Sequence, residues 1–414
     1  MSGTRRPVIV LCPHFAPDTA PTGVVMTRIV DELVALGHRV HVVTSLPWYR
    51  EHDIEPEWRG ARVRREPTEW GSITRVDPFA GGDKTNLLRR AAGFLGFTWL
   101  AGREALRIGG WFHRAEAVIS MSPPLTLGAT GWLVATTKRA SNIFNIQDVF
   151  PDAAVETGAI RNPLIIGAAR TLERLSYGLA DAVTVLSDDL HDNVVGKLPA
   201  RQADKVRVIP NFVDTEVIRP ANRMTRYRDE LGLGDEPVVL YAGNIGYSQS
   251  LDLVLHAARR LPQVTFLVNG DGAARASLER DARRVDNVRF AGFIPAERLS
   301  ELLATGDVHV VPLKPGLGHV SVPSKTYSIM AAGRPVVAAI DPGTAVPRIL
   351  AESAGGIAVP PDDGDAFTEA IRRVLADPFE ALAMGERGRA WVEREASPQA
   401  VGTAYSDLIA SLRG

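Results

Sequence analysis

The stretch Val322–Val337 combines a small hydroxyl residue, a cation and a glycine in a pattern that suits the binding of an anion. It predicts a loop, a short helix with Ser324 as its N-cap, a stop at Gly333 and a strand. Lys325 would lie in the first helical turn, where a cation opposes the positive end of the helix dipole. A bound diphosphate would remove this conflict, and the loop Pro315–His319 leaves room for one. The alternative is that Lys325 simply extends into water.

Glycine pairs follow two predicted strands in the second half of the chain. Glycine lets the backbone approach a ligand closely, and helices that begin after such loops offer free N–H groups to phosphate. Tight strand–helix turns also use glycine for purely structural reasons, so both interpretations stay open. The four positions are Gly243, Gly246, Gly270 and Gly272.

Polar residues follow predicted strands in the first half as well. Gln147 and Asp148 come directly after a strand, where a carboxylate could orient a sugar hydroxyl or accept a proton. His14 follows the first strand, and Gly23 belongs to a Pro-Thr-Gly segment that could place N–H groups against a phosphate or an acceptor. Asp148 and His14 each have a purely structural alternative.

Alternation of strands and helices accounts for the position of these residues. Short apolar runs typical of buried parallel strands alternate with helical stretches. The alternation restarts in the second half, where strands are predicted at Val238–Ala242, Thr265–Asn269 and Val308–Pro312. This pattern predicts an α/β protein with two Rossmann-like, doubly wound parallel sheets, whose ligands bind beyond the carboxyl ends of the strands. We assign 1–214 to the first domain, completed by the C-terminal helix 398–414, and 215–397 to the second.

Composition excludes several classes of function. The 414 residues carry a net charge of -1, which does not favour nucleic acid. Cys12 is the single cysteine and no signal peptide is evident, so we expect a cytoplasmic protein. The uncharged stretch Ala117–Thr137 contains two prolines and predicts a strand, a turn and a helix. No metal-ligand spacing and no dinucleotide-binding glycine motif occurs, so we expect neither a metal nor another cofactor.

Residues 84–112 combine aromatic and basic side chains. Phe94, Phe97 and Trp99 are flanked by five cations, a combination that could lie on an anionic membrane surface. A packed helix with a basic exposed edge is the alternative. The cations are Lys84, Arg89, Arg90, Arg103 and Arg107.

Together with several other motifs, these residues resemble the retaining glycosyltransferases of family 4, which have the GT-B fold. The resemblance covers almost the whole chain and is nearest to fucosamine-transferase-like enzymes of bacterial surface polysaccharide synthesis. The motifs are 13–17 (PHFAP) with Gly23, 147–152 (QDVFPD), 180–187 (ADAVTVLS), 208–214 (VIPNFVD), 241–246 (YAGNIG) and 323–337.

The resemblance implies two domains that face a cleft, with a nucleotide sugar in the second domain and an acceptor in the first. It implies UDP as the expected nucleotide, and a glycan or a polyprenyl-diphosphate-linked acceptor. Catalytic roles fall on Lys325 and Asp148, and contacts with the acceptor or the sugar on His14, Gln147 and Asp148. The donor-binding set is Gly23, Asn244, Gly246, Gln249, Gly270, Gly272, Phe293 (near the base), Gly318, His319, Ser324, Lys325, Thr326 and Ser328.

The chain departs from the family pattern at several positions. Asn244 and Gln249 stand where many members carry an arginine and a lysine for the diphosphate, and Gln147 stands for a frequent histidine. Val320 and Ser328 stand where many members carry two glutamates, and Ser328 would hold the ribose more weakly. Lys325 would take over diphosphate binding. A nucleotide-sugar epimerase of the same fold and a non-catalytic nucleotide-sugar-binding partner are the alternative functions.

Overall fold

A computed structural model describes residues 6–50, 53–79, 87–111, 113–152, 162–319 and 322–413, without the side chains of 87–92, 296 and 319. The described residues form two compact units. The first contains the residues up to Pro210 and those from Val401 onward, and the second contains Asn211–Ala400. Residues 211–214 and 398–400, which were assigned to the first domain from the sequence, thus lie in the second unit.

The first unit is built on an eight-stranded sheet in the order β3-β4-β2-β1-β5-β6-β7-β8. All its pairings are parallel except that of β3 with β4. The central strands β1 and β5 are buried throughout, as expected for a sheet covered on both faces. The strands are β1 Val8–Leu11, β2 Val40–Ser45, β3 Val63–Thr68, β4 Gly71–Val76, β5 Ala117–Ser122, β6 Ser141–Ile146, β7 Ala182–Val185 and β8 Val206–Val208.

Helices connect these strands, and the C-terminal helix packs onto the same unit. The hydroxyl of the buried Tyr405 lies 2.6 Å from Asn145 Nδ2 and 3.0 Å from Thr184 Oγ1, so the end of the chain is hydrogen-bonded to β6 and β7. The helices are α1 Pro21–Ala35, α2 Leu87–Arg107, α3 Thr126–Lys138, α4 Pro163–Leu179, α5 Asp188–Val195 and, at the C-terminus, α14 Pro398–Ser411.

The second unit contains a six-stranded parallel sheet in the order β11-β10-β9-β12-β13-β14. The order reverses between β9 and β12, which is where ligands bind in such sheets. Its strands are β9 Val238–Ala242, β10 Thr265–Asn269, β11 Val288–Ala291, β12 Val308–Pro312, β13 Val336–Ala339 and β14 Gly356–Val359. Its helices are α6 Arg226–Glu230, α7 Asp252–Arg260, α8 Arg275–Asp281, α9 Leu299–Thr305, α10 Lys325–Ala331, α11 Ala345–Ser353, α12 Gly364–Ala376 and α13 Pro378–Glu395.

The predicted fold class, two parallel-sheet α/β domains, is confirmed. The prediction for Ala117–Thr137 is also confirmed, because this stretch contains β5, a turn and most of α3. The hairpin of β3 and β4 was missed. Its first strand, Val-Arg-Arg-Glu-Pro-Thr, is charged and half-exposed at the sheet edge, so it lacks the apolar run that reveals the central strands.

Candidate functional site

Lys325 opens α10 at the point where the strand order of the second sheet reverses. Its Nζ lies 3.0 Å from the hydroxyl of Tyr241 on β9 and 4.0 Å from the centre of that ring. Among the described residues no carboxylate lies within ion-pair distance of this ammonium. Burial lowers the pKa of Lys325 to about 8. The lysine therefore does not simply extend into water; it is a half-buried cation on an aromatic ring, without a counter-ion in the described part of the chain.

Tyr241 links Lys325 to the loop after β9. Its hydroxyl donates a hydrogen bond to the carbonyl of Asn244 at 2.5 Å, and burial raises its pKa. Phenolic oxygen is both donor and acceptor, so one group holds the ammonium and fixes the loop. Tyr241 lies inside the motif at 241–246, but the sequence alone gave no reason to single out its side chain.

Ser324 does not cap the helix, so that prediction is wrong. Its backbone is already helical (φ -57°, ψ -24°), and its side chain makes no cap hydrogen bond. A capping residue has extended dihedral angles that point its oxygen at the following N–H groups. Ser324 is exposed, Ser328 is half-buried, and the hydroxyl of Thr326 is buried without a hydrogen-bond partner among the described residues.

A cavity of about 360 Å³ lies beside Lys325 within the second unit. Its size is in the range of small-molecule pockets. Residues after β9, the end of β12 and the start of α10 form its wall, so it lies at the reversal of strand order. The lining residues are Ser248, Gln249, Val311, Pro312, Leu313, Leu317, Val322, Pro323, Ser324 and Lys325.

The glycines after β10 have a structural explanation. Gly270 has φ of +146°, and a Cβ there would lie 1.9 Å from the carbonyl oxygen of Gly243. A Cβ on Gly272, with φ of +154°, would lie 2.4 Å from the carbonyl oxygen of Ile245. The loops after β9 and β10 thus pack backbone against backbone, which only glycine permits. Contact of Gly270 and Gly272 with a donor stays a prediction.

The loop after β9 is organised by its own side chains. The N–H of Gly246 donates to Gln249 Oε1 at 3.0 Å, and Gln249 also lines the cavity. Asn244 is exposed, and its Nδ2 would lie 2.8 Å from a Cβ on Gly246. The two residues at the positions of the family's cations are therefore neutral amides close to the cavity, and Lys325 supplies the cation.

Asp341, just after β13, holds the loop that precedes α10. Its carboxylate accepts hydrogen bonds from the N–H groups of Gly316 (2.9 Å) and Gly318 (3.0 Å). These two N–H groups therefore already donate hydrogen bonds within the protein. Sequence reasoning missed Asp341; an acidic residue directly after a strand was the available signal. The side chain of His319 and the whole of Val320 lie outside the described residues.

Phe293 follows β11 and is 68% exposed, so its ring is accessible on the second unit. In the first unit, Gln147 is buried and its Nε2 donates to Asn145 Oδ1 at 2.9 Å. Asp148 is exposed overall, and partial burial of its carboxyl group raises its pKa. Gly23 lies in the first turn of α1, packed against His14. That Phe293, Gln147, Asp148 and Gly23 contact the donor or the acceptor stays a prediction.

The segment predicted to contact a membrane, 84–112, contains the whole of α2. Phe97 and Leu100 are buried in the core of the first unit, whereas Leu95 and Trp99 are 59% and 67% exposed. Arg103 lies over the Trp99 ring at 5.9 Å, and Arg107 pairs with Glu104 at 2.8 Å. Lys84 and the side chains of Arg89 and Arg90 lie outside the described part. Within the described ranges, every helix is too short or too polar to span a lipid bilayer.

Metal binding has no visible basis in the described part of the chain, where no group of three or more histidine, cysteine or acidic residues is placed to hold an ion. The charged group that the structure places beside the cavity is the ammonium of Lys325. Such a site can bind an anion and stabilise negative charge that develops on it.

Two family models match the chain. Residues 236–377 match "Glycosyl transferases group 1" and residues 22–211 match "Glycosyl transferase 4-like domain". A relative from Escherichia coli K12, a putative colanic acid biosynthesis glycosyl transferase (WcaI), is 26% identical over 94% of this chain and 97% of its own length.

Solved structures show the same fold. Sucrose-phosphate synthase from Thermosynechococcus elongatus superposes with a TM-score of 0.70 at 19% identity, over 98% of this chain and 99% of that one. HepE from Anabaena, solved in complex with UDP-glucose, superposes with a TM-score of 0.64 at 14% identity, over 98% and 100%.

Proposed function

Because the chain is a glycosyltransferase of the GT-B fold, we propose that it moves a hexose-like sugar from a nucleotide diphosphate sugar to an acceptor, with retention at the anomeric carbon. Lys325 is the residue on which the proposal rests. It is a cation without a carboxylate partner in the described structure, beside a cavity at the reversal of strand order, and a diphosphate supplies the missing negative charge.

Departure of the nucleoside diphosphate is the step that this site would assist. When the bond between the sugar and the diphosphate breaks, negative charge grows on the leaving phosphate oxygen. An ammonium that is already held in place and partly desolvated stabilises that charge with little rearrangement. Lys325 fills this role, and no metal ion is required. Asp148, whose raised pKa favours proton uptake, would orient the acceptor hydroxyl or accept its proton.

UDP is the proposed nucleotide, supported by the structural neighbour HepE, which was solved in complex with UDP-glucose. Phe293, exposed after β11, would contact the base, and Ser328 the ribose. The acceptor would be a glycan or a polyprenyl-diphosphate-linked sugar of surface polysaccharide synthesis, which the name of the Escherichia coli relative supports. The nearness to fucosamine-transferase-like enzymes stays a prediction.

Contact with the inner face of the cell membrane would bring a lipid-linked acceptor to a cytoplasmic enzyme. Leu95 and Trp99 face outward on one side of α2, and Arg103 continues the same face. Aromatic and aliphatic side chains that enter the headgroup region, next to arginines that bind anionic lipid, favour such contact.

The test compares Lys325→Met with Arg373→Met, a control that removes an exposed cation on α12 of the same unit. UDP-, GDP- and dTDP-sugars are screened by thermal shift, and turnover is measured with the sugar that binds. We expect turnover to fall by about 100-fold or more in Lys325→Met, the usual loss when one stabilising group is removed. Turnover equal to wild type in Lys325→Met would remove the lysine from the mechanism.

The alternative functions have distinct outcomes in the same assay. An epimerase would release a changed nucleotide sugar without an acceptor, and a non-catalytic partner would bind a donor and turn over none. The names of the relatives are those of transferases, which favours transfer over both.

A further inference from the structure

Ring-bearing side chains gather at the carboxyl edge of the sheet of the first unit. His14 follows β1, and Trp48 and Tyr49 follow the neighbouring β2. The His14 and Trp48 rings are stacked, with centres 5.4 Å apart at 28°, and the Tyr49 ring stands edge-on at 5.5 Å. The order of this sheet reverses between β1 and β5, so the loop that carries His14 borders the point where ligands bind in such folds.

The loop that carries His14 is anchored from three elements. Ser45 Oγ, at the end of β2, donates to the carbonyl of Pro13 at 2.5 Å. Arg75 on β4 donates to the carbonyl of Ala16 at 2.5 Å, and the N–H of Ala16 donates to Thr27 Oγ1 of α1 at 3.0 Å. Three such contacts over a few residues hold the loop in one conformation, which a binding site needs.

Gly23 allows the start of α1 to press against His14. A Cβ at position 23 would lie 2.8 Å from His14 Cβ and 3.1 Å from its carbonyl carbon. Any larger residue would push the histidine out of place. Gly23 therefore acts on the position of His14, whatever else it contacts.

Asp18 orients the imidazole. Its Oδ2 lies 2.7 Å from His14 Nδ1, its side chain is fully buried, and its Oδ1 has no hydrogen-bond partner among the described residues. A carboxylate only accepts hydrogen bonds, so Nδ1 is the nitrogen that donates to Asp18. The other nitrogen, Nε2, is then left for a ligand, and the His14 side chain is 12% exposed.

We propose that His14, Trp48 and Tyr49 form the binding site for a pyranose ring of the acceptor. One hydroxyl of the ring forms a hydrogen bond with His14 Nε2, and the C–H face of the ring packs against the aromatic side chains. Tyr49 is 40% exposed and so offers surface to a ligand. Asp18 is a positioning residue. This inference rests on the proposed transferase function and narrows the acceptor to a glycoside, because a bare lipid phosphate has no apolar ring face.

The experiment measures binding of methyl pyranosides of glucose, galactose, mannose and N-acetylglucosamine by saturation-transfer NMR. Trp48→Leu removes the stacked ring, and His14→Phe keeps a ring while removing Nε2. Trp132→Leu, a half-exposed tryptophan on α3, is the matched control. We expect the signal of at least one pyranoside to fall about fivefold or more in the two site variants and to stay at wild-type level in the control.

Binding of UDP, measured on all four proteins, separates this proposal from the proposed function. UDP binding that fails in every protein, with pyranoside binding intact, contradicts the donor assignment and leaves the ring site standing. Pyranoside signals that are absent in wild type, or equal in wild type and Trp48→Leu, overturn the ring site. Should His14→Phe fail to fold, because Asp18 is left buried without its partner, Trp48→Leu decides alone.

Discussion

Replacing Lys325 by methionine should stabilise the protein while it destroys the proposed activity. The change removes the ammonium and keeps an unbranched chain against the Tyr241 ring. Burial lowers the pKa of Lys325 from 10.5 to about 8, which corresponds to a cost of about 3 kcal/mol for keeping the lysine charged. The hydrogen bond and the cation–π contact with Tyr241 return about 1–2 kcal/mol. Desolvation therefore outweighs both contacts.

We expect Lys325→Met to raise the free energy of unfolding at pH 7 by about 1–2 kcal/mol. For a unit of this size each kcal/mol shifts the melting temperature by about 2–4 °C, so the rise in melting temperature should be about 2–8 °C. A cation held at a cost to stability is a common feature of functional sites, and the proposed bound diphosphate would offset that cost.

The pH dependence has a defined sign. An unfolded lysine keeps its proton up to about pH 10.5, whereas Lys325 in the folded protein loses it near pH 8. Between these values the unfolded state binds more protons, so wild-type stability rises with pH relative to the variant. The difference in free energy of unfolding between Lys325→Met and wild type is therefore fully present below pH 8 and shrinks as pH rises toward 10.5.

Urea unfolding of both proteins at pH 7 and pH 9.5 measures this difference in free energy directly. Arg373→Met, on the exposed face of α12, controls for loss of one positive charge. A Lys325→Met protein that is less stable than wild type at pH 7 would refute the reasoning. It would mean that the contacts with Tyr241 outweigh desolvation and that the lysine is structural.

Three further changes test individual contacts. Tyr241→Phe removes the hydroxyl that holds Lys325, so we expect KM for the donor to rise about fivefold with a smaller change in kcat, in steady-state assays. Gly270→Ala places a Cβ against a carbonyl oxygen at positive φ and should destabilise the second unit by about 3 kcal/mol or more in urea titrations; an unchanged midpoint would contradict the packing. Tyr405→Phe removes the hydroxyl that Asn145 on β6 and Thr184 on β7 share, although the two residues keep the hydrogen bond between them. This should cost about 0.5–1.5 kcal/mol and speed amide exchange in those strands; exchange at the wild-type rate would contradict it.

Strand placement was readable from the sequence because buried parallel strands are nearly continuous apolar runs. Val238–Ala242, Thr265–Asn269 and Val308–Pro312 were predicted with the bounds that the structure gives. The hairpin of β3 and β4 escaped because an edge strand need not be apolar. The charged residues of β3 can face solvent on one side of the strand. Its antiparallel pairing with β4 produces no recognisable pattern in the local sequence.

The sequence by itself determined the two α/β units, the loops that carry polar and glycine residues, and the position of Lys325 at the start of a helix. Tertiary structure alone decided what those residues meet. The contact of Lys325 with Tyr241 joins residues 84 positions apart, and Asp341 reaches Gly316 from the end of another strand. Local spacing specifies secondary structure, whereas side chains from distant strands meet only once the sheet order is fixed. For that reason the contacts made by the residues that orient the candidate sites, Tyr241, Asp341 and Asp18, do not follow from their neighbours in the chain.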